Sequence, residues 1–518
     1  MQKRYFRSKK WFRALFHRRM LVALMILAQI ALLIYLVLDT TKISSVISHG
    51  LRIISLIVAL YIVSNRRKGA FKLTWVFLIL LFPLFGGLLF LLFHLQTEVS
   101  PLARGTKRVD EQARPLYLLP GDGFAEAAGQ FPSRISHIRY LQEYAGFPIY
   151  TDTEVRYFSS GEAAWRVMLE ELEKAEKSIF LEYFIVEEGK MWDTMLEILA
   201  RKAAMGVTVR MIYDDFGCFF RLPSDYPEQM RKLGIECVIF NPFRPIFSVH
   251  QNNRDHRKIL AIDGEVAFTG GINLADEYIN EIEVYGHWKD AAVMLKGKGA
   301  WSFHLMFLQS WHLCNRDREE DMSVFYPSEL RHRPIAAAGF AQPYADTPMD
   351  ADNVGEHVYL HIIGAAKDYL YITTPYLIID ESMISALTLA AKSGVDVRIM
   401  TPHISDKKLV HVTTRSYYRE LIKAGVRIYE YERGFAHAKT FVSDDTTATV
   451  GTTNLDFRSL YMHYECGVRF YDCPAVLDVK EDFLSTLPSC RAITLRDCSR
   501  NMMTGILQDI LRLFAPLM

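Results

Sequence analysis

No two cysteines of this 518-residue chain are spaced C-x-x-C, and none combines with histidines in a zinc-finger pattern. A structural metal site is therefore not expected. The seven cysteines, 218, 237, 314, 466, 473, 490 and 498, are odd in number, which excludes a complete disulfide framework. A bridge among Cys473, Cys490 and Cys498 stays open. Charge of one sign is not in surplus either. Lys plus Arg total 60 and Asp plus Glu 59. A dedicated nucleic-acid binder carries a basic excess, so no nucleic-acid partner is expected. No small-residue cleavage site follows the first apolar run at Leu38, which disfavours a signal peptide.

Apolar sequence, by contrast, is plentiful: half the residues are hydrophobic. Three apolar runs crowd the N-terminal end, at residues 20–38, 44–63 and 73–95. A run of about 20 such residues can cross a hydrocarbon core of roughly 30 Å. Residues 1–96 are accordingly expected to be a membrane anchor of three transmembrane helices. Pro83 and Gly86-Gly87 interrupt the third run, as membrane helices tolerate. Eight Lys and Arg residues precede the first run, and N-R-R-K-G-A-F-K separates the second from the third. The positive-inside rule then gives a multi-pass cell-membrane protein with its body on the outer face. Residues 97–134 are polar, carry Pro and Gly, and read as a linker.

The rest of the chain says the same thing twice. H-R-K-I-L-A-I-D (His256 to Asp263) and H-A-K-T-F-V-S-D (His437 to Asp444) are both H-x-K-x4-D. Each His is followed 17 residues later by an Asn, Asn273 in T-G-G-I-N and Asn454 in V-G-T-T-N. Around the motifs, A-A-M-G-V-T-V-R (203–210) matches A-K-S-G-V-D-V-R (391–398), and L-G-I-E-C-V-I-F matches A-G-V-R-I-Y-E-Y. Strand patterns alternate with helical ones, so the fold class is α/β, with mostly parallel sheets covered by helices. The first repeat is assigned to residues 135–320, an irregular connection to 321–356, and the second repeat to 357–518. The latter ends in an amphipathic helix with Ile506, Leu507, Ile510, Leu511 and Phe514 on one face. That face is expected to pack on the body; the alternative is a helix lying on a bilayer surface.

A His two residues before a Lys on a strand puts both side chains on one face. Lys258 and Lys439 supply fixed positive charge, and Asn273 and Asn454 neutral donors. One set from each half suits a phosphate passing through a five-coordinate state. Two histidines then divide the work. One attacks phosphorus, and the other protonates the leaving alcohol and deprotonates the incoming one. A nucleophilic His must be neutral, and a carboxylate on its far nitrogen fixes the tautomer. Glu465 in H-Y-E-C and Asp290 in H-W-K-D are the candidates. Asp263 and Asp444 suit a role in holding the turn after the strand. The other fourteen histidines are read as ordinary surface or core residues. A divalent ion is a poor fit, because each motif offers one His beside a cationic Lys.

Two H-x-K-x4-D motifs, each trailed by G-x-x-N, resemble the phospholipase D superfamily. The longer context, N-N-R-D-H-R-K-I-L-A-I-D-G-E-V-A-F-T-G-G-I-N-L-A-D-E-Y, T-P-Y-L-I-I-D-E and H-A-K-T-F-V-S-D-D-T-T-A-T-V-G-T-T-N-L-D-F-R-S, resembles bacterial cardiolipin synthases. The resemblance implies a duplicated phospholipase D-like sandwich and a transphosphatidylation that needs no metal or other cofactor. One phosphatidylglycerol would form a phosphatidyl-histidine and release glycerol; a second would attack it to give cardiolipin. It implies His256 as nucleophile and His437 as acid and base. It counts Asp263 and Asp444 with the catalytic motifs, and puts Lys258, Lys439, Asn273 and Asn454 on the phosphate. The family's common Ser after the motif Gly is Gly271 in one half and Thr452 in the other, so a hydroxyl contact to the phosphate is expected from Thr452 alone. The implied partners are phosphatidylglycerol and anionic membrane lipid, with a homodimer among the assemblies open to it. The competing reading is a hydrolase of phospholipid or, less well suited to the balanced charge, of nucleic acid.

Overall fold

A computed structural model describes residues 31, 42–65, 68–82, 86–87, 90, 101–243, 249–315, 320–332, 335–350 and 352–517. The chain divides into two compact units. The smaller comprises Met1–Pro101, Phe243–Asn253 and Leu513–Met518; the larger comprises Leu102–Pro242 and Arg254–Arg512.

In the smaller unit, helices α1 (Lys42–Ser64) and α2 (Gly69–Leu81) meet over a small core of Ile62, Trp75, Ile79 and Phe90. Among the described residues no helix is long and apolar enough to cross a membrane. The 13 residues of α2 span only about 20 Å. In α1, Lys42, His49 and Arg52 dilute the N-terminal half. This overturns the expected multi-pass anchor, and with it the assignment of the body to an outer membrane face. Apart from Ala31, the expected span at 20–38 lies outside the described residues, as does much of 73–95 beyond Phe82.

The larger unit is built on two sheets of matching design. The strands of the first half are β1 (Thr153–Phe158), β2 (Ser178–Tyr183), β3 (Thr208–Asp214), β4 (Glu236–Phe240), β5 (Lys258–Ile262), β6 (Val266–Gly270), β7 (His287–Lys289) and β8 (Ala292–Gly297). Those of the second are β9 (Phe340–Asp346), β10 (Tyr369–Thr373), β11 (Asp396–Pro402), β12 (Arg427–Tyr431), β13 (Gly434–Ala436), β14 (Thr440–Ser443), β15 (Thr447–Gly451), β16 (Glu465–Tyr471) and β17 (Cys490–Ile493). The first sheet runs β1-β8-β6-β5-β2-β3-β4. The second runs β9-β16-β15-β14-β10-β11-β12, with β17 added at the edge. Position for position the orders are the same, as the internal repeat requires.

The sheets are mixed, not mostly parallel. Within the two large sheets, β2-β3-β4 and β10-β11-β12 pair in parallel and the other neighbours antiparallel. The motif strands β5 and β14 pair antiparallel on both sides. The reason is local: Asp263-Gly264 and Asp444-Asp445 all take left-handed φ values and turn each motif strand straight back into a hairpin.

Helices α4 (Gly161–Lys174) and α5 (Lys190–Ala204) bury Leu172, Met191, Trp192 and Leu199 against the outer face of the first sheet. The inner faces of both sheets share one core, into which β5 sends Ile259 and Ala261, and β16 sends Cys466, Val468 and Phe470. Helix α6 (Ala300–Cys314) is apolar almost all round because it lies inside that core.

Two expected boundaries move. The stretch read as a linker forms helix α3 (Pro101–Ala113) and a 3-10 turn, and its Val109, Ala113 and Tyr117 are buried in the shared core. It belongs to the body. The stretch read as a connection contains β9 and the start of helix α7 (Val354–Ala365). Pro343 obscured this strand in the sequence; β9 holds the sheet edge, where a proline removes no ladder bond. Helices α8 (Glu381–Lys392) and α9 (Lys408–Lys423) precede β11 and β12, α10 (Pro474–Thr486) packs into the shared core, and α11 (Met502–Phe514) ends the chain. On α11, Leu511 is buried, but Ile506, Leu507 and Ile510 are 46–48% exposed, so the expected packing of that face is only partial.

Candidate active site

Backbone pairing between the halves builds the site. Short strand β13, which leads into His437, pairs in parallel with β7 of the first half, Ala436 opposite Lys289. The His437 amide then donates to the Lys289 carbonyl at 2.7 Å. A matching bridge joins Asp255 to Tyr464, and the His256 amide donates to the Tyr464 carbonyl at 2.9 Å. The residue after Lys289 is Asp290, and the residue after Tyr464 is Glu465. Each half therefore carries a carboxylate to the histidine of the other.

The side chains complete the crossing. His256 Nδ1 lies 2.9 and 3.1 Å from the two oxygens of Glu465. His437 Nδ1 lies 2.7 Å from Asp290 Oδ2. With Nδ1–H donated to a carboxylate, Nε2 keeps its lone pair for chemistry. All four groups are buried.

The two carboxylates are held differently. Glu465 also accepts the hydroxyls of Ser459, at 2.6 Å, and Thr452. Asp290 accepts its neighbour's amide, Ala291 N, at 2.8 Å and the Trp288 indole at 3.3 Å. This explains the unequal residues after the motif glycines. A Cβ at Gly271 would stand 1.9 Å from Asp290 Oδ1, so the shorter carboxylate fills the space of the missing side chain. In the other half Thr452 occupies that space and grips Glu465.

Lys258 and Lys439 mirror each other, each Nζ donating to the carbonyl of its own motif histidine, at 2.5 Å for Lys258. Burial drives the proton affinity of both down, Lys258 to about 8 and Lys439 to about 7. Burial and the charge of Lys439 likewise lower His437, to about 4, despite the pull of Asp290. His256 falls well below its usual value through burial and the charges of Lys258 and Lys439. Both imidazoles are thus neutral at pH 7. Burial holds Glu465 above the ordinary carboxylate range, while for Asp290 the bond and charge of His437 outweigh burial and bring it below.

Asn273 accepts from Ile185 N at 3.0 Å and donates to the Tyr278 hydroxyl at 2.7 Å, and the Tyr278 ring lies 5.8 Å from that of His437. Asn454 Oδ1 is buried without a hydrogen-bond partner among the described residues. Asp263 and Asp444 do not join the site. Asp263 accepts the amides of Glu176, Lys177 and Ser178 at 2.7–2.8 Å, and Asp444 those of Lys367, Asp368 and Tyr369 at 2.9–3.0 Å. They fasten the far ends of the motif strands.

One residue the sequence reading passed over does join it. The His463 ring lies 5.6 Å from that of His256, with Nδ1 3.9 Å from Glu465. Among the described residues, His256, His463 and Glu465 form the one group with metal-like spacing, their ligand atoms within 4.8 Å of one another. The lysine charges that lower His256 would equally repel a divalent ion. Nothing in the sequence distinguished His463 from the other histidines; only its neighbour Glu465 pointed toward it.

A two-sheet body with a His and a Lys from each half around one buried centre is the architecture of a phospholipase D-like protein. A model of the cardiolipin synthase phospholipase D-like domain matches residues 168–294 and 359–487. Cardiolipin synthase 2 of Bacillus anthracis is 32% identical over 88% of each chain. A cardiolipin synthase of Geobacillus sp. (strain WCH70) is 34% identical, over 89% of this chain and 91% of its own. An uncharacterized protein of Streptococcus mutans is 42% identical over 89% of this chain and 99% of its own. The fold is also that of phosphatidylserine synthase from Haemophilus influenzae Rd KW20, with a TM-score of 0.53 at 14% identity, over 70% of this chain and 93% of that one. The chain belongs to the cardiolipin synthase family of phospholipase D-like enzymes.

Proposed function

We propose that the protein joins two phosphatidylglycerol molecules into cardiolipin and glycerol through a phosphohistidine. His256 Nε2 attacks phosphorus, and the bond from phosphorus to the glycerol oxygen breaks. His437, which takes up a proton at Nε2 as the anionic phosphodiester binds beside it, donates that proton to the glycerol oxygen. The hydroxyl of a second phosphatidylglycerol then gives its proton back to His437 and attacks phosphorus, and the phosphorus–nitrogen bond breaks. Lys258 and Lys439 balance the charge of the five-coordinate state, and the bound anion in turn favours their protonated forms.

The observation that carries this reading is the crossed pair of His–carboxylate contacts with unequal carboxylates. Glu465 shares its charge among two hydroxyls and an imidazole and is held above the ordinary range, so it favours a neutral His256, as a nucleophile needs. Asp290 stays ionised and favours an imidazolium on His437, as a general acid needs. The test uses purified full chain with labelled phosphatidylglycerol. Cardiolipin and glycerol should appear in equal amounts, and a His256→Ala variant should give neither. Phosphatidic acid as the main product would replace transfer with hydrolysis.

A further inference from the structure

We infer that helix α11 and the groove beside it form a docking surface for an anionic phospholipid bilayer, separate from the reacting site. The groove has a volume of about 720 Å³ and runs between α9, the β17 edge and α11. Seven arginine and lysine side chains line it against three carboxylates, four positive charges in excess. Four are committed: Arg415 to Glu430 at 2.8 Å, Arg512 to Glu420 at 3.1 Å, Arg500 to Asp509 at 2.9 Å, and Arg491 to Asp497. Lys392, Arg419 and Lys423 are exposed at the groove and make no ion pair among the described residues. They present a basic surface of the kind that attracts anionic headgroups.

The helix itself supplies the second half of the surface. Arg500, just before α11, and Thr504, Gln508 and Arg512 on it recur every four residues and line the groove. About a third of a turn away, Met503, Ile506, Leu507 and Ile510 form an apolar row that is 77%, 46%, 46% and 48% exposed. The basic rim that Lys392, Arg419 and Lys423 give the groove on α8 and α9, beside the uncovered apolar row of α11, offers acidic lipid phosphate contacts on one side and the acyl boundary on the other. Such a helix lies on the surface and crosses nothing. The proposal does not depend on the reaction assigned to the histidines.

The experiment measures binding of the full chain to vesicles of phosphatidylcholine alone and of phosphatidylcholine with phosphatidylglycerol. A His256→Ala background prevents turnover. Binding should need the anionic lipid and weaken with salt. Two variants should each weaken it at least about tenfold: Lys392→Glu with Arg419→Glu and Lys423→Glu, and Ile506→Asp with Ile510→Asp. Amides of residues 499–512 should gain protection from hydrogen exchange when anionic vesicles are added. Placed in the unaltered chain, the same changes should leave melting temperature and activity on short-chain substrate in detergent as they were, which separates loss of docking from loss of fold or chemistry. Wild-type vesicle binding by both variants, or unchanged exchange at 499–512, would overturn the proposal. So would an apolar-row variant that alters self-association but not vesicle binding, since that would give the face to a second copy.

Discussion

His256 and Glu465 stand 209 residues apart in the chain and 2.9 Å apart in space, and neither belongs to the same half as the other. His437 and Asp290 repeat the relation across 147 residues at 2.7 Å. Neither half can therefore orient its own histidine. The duplicated body is one catalytic unit, because correct tautomers require both sheets docked in register.

The unequal carboxylates predict unequal variants. Asp290→Asn should slow cardiolipin formation from phosphatidylglycerol by about a hundredfold or more, since the acid loses its stabilising charge. With phosphatidyl-p-nitrophenol the leaving phenolate needs no proton, so the first-turnover burst of nitrophenol should be nearly normal in that variant. Glu465→Gln should slow release from both substrates, because it disturbs the nucleophile. Equal losses on both substrates in both variants would remove the division of labour.

Asp263→Ala should damage the fold more than the chemistry. It removes an ionised acceptor from three backbone amides and puts Ala at a φ of +54°. A loss of about 2–3 kcal/mol is expected from urea unfolding, with kcat of the folded fraction unchanged. Asp263→Asn should be milder, since Asn tolerates that φ and keeps one acceptor. A fall in kcat without a fall in stability would return Asp263 to the reacting site.

Much of this was legible in the sequence, and the failures have physical causes. The paired motifs, the hairpin after Asp263 and the carboxylates Glu465 and Asp290 are local patterns. The crossing of the pairs is not local: it depends on β13 meeting β7 and on the Asp255–Tyr464 bridge, which no periodicity encodes. Strand direction was misread because helix–strand alternation holds only for β2 to β4 and β10 to β12. Pro343 concealed an edge strand, and the polar face of α3 concealed its buried Val109 and Ala113. Long apolar runs suggested membrane crossings, but run length in sequence does not fix helix length, and α2 stops after 13 residues.

The lysines should make activity and stability respond oppositely to pH. In the free protein Lys439 titrates near 7 and Lys258 near 8, against about 10.4 when unfolded. Loss of these charges should lower kcat/KM as pH rises through 7 to 8. Over 7 to 10 the unfolded chain binds more protons than the folded one, so the same groups make folding more favourable as pH rises. Lys439→Met should accordingly be inactive yet at least as stable as wild type at pH 7. A Lys439→Met variant that unfolds more readily would show that its charge supports the fold.

Chelation should leave the reaction intact. His256, His463 and Glu465 have the spacing of a metal site, but two buried lysines act on the same imidazole. Prolonged treatment with EDTA should change neither the rate nor the product. A loss restored by a divalent ion would make this trio a metal centre and displace His256 as nucleophile.

Thr452, by its place after the motif glycine, is expected on the phosphate. Its hydroxyl instead donates to Glu465, as does Ser459. Those two bonds draw charge from the carboxylate and weaken its hold on a protonated His256. Thr452→Val with Ser459→Ala should let the His256–Glu465 pair take up its proton at higher pH, since the two titrate together. The acid limb of the kcat profile should then move up by about one unit, with KM for phosphatidylglycerol little changed. A raised KM with an unmoved acid limb would mean that the Thr452 hydroxyl turns to the phosphate when substrate binds, and that Glu465 is set by burial alone.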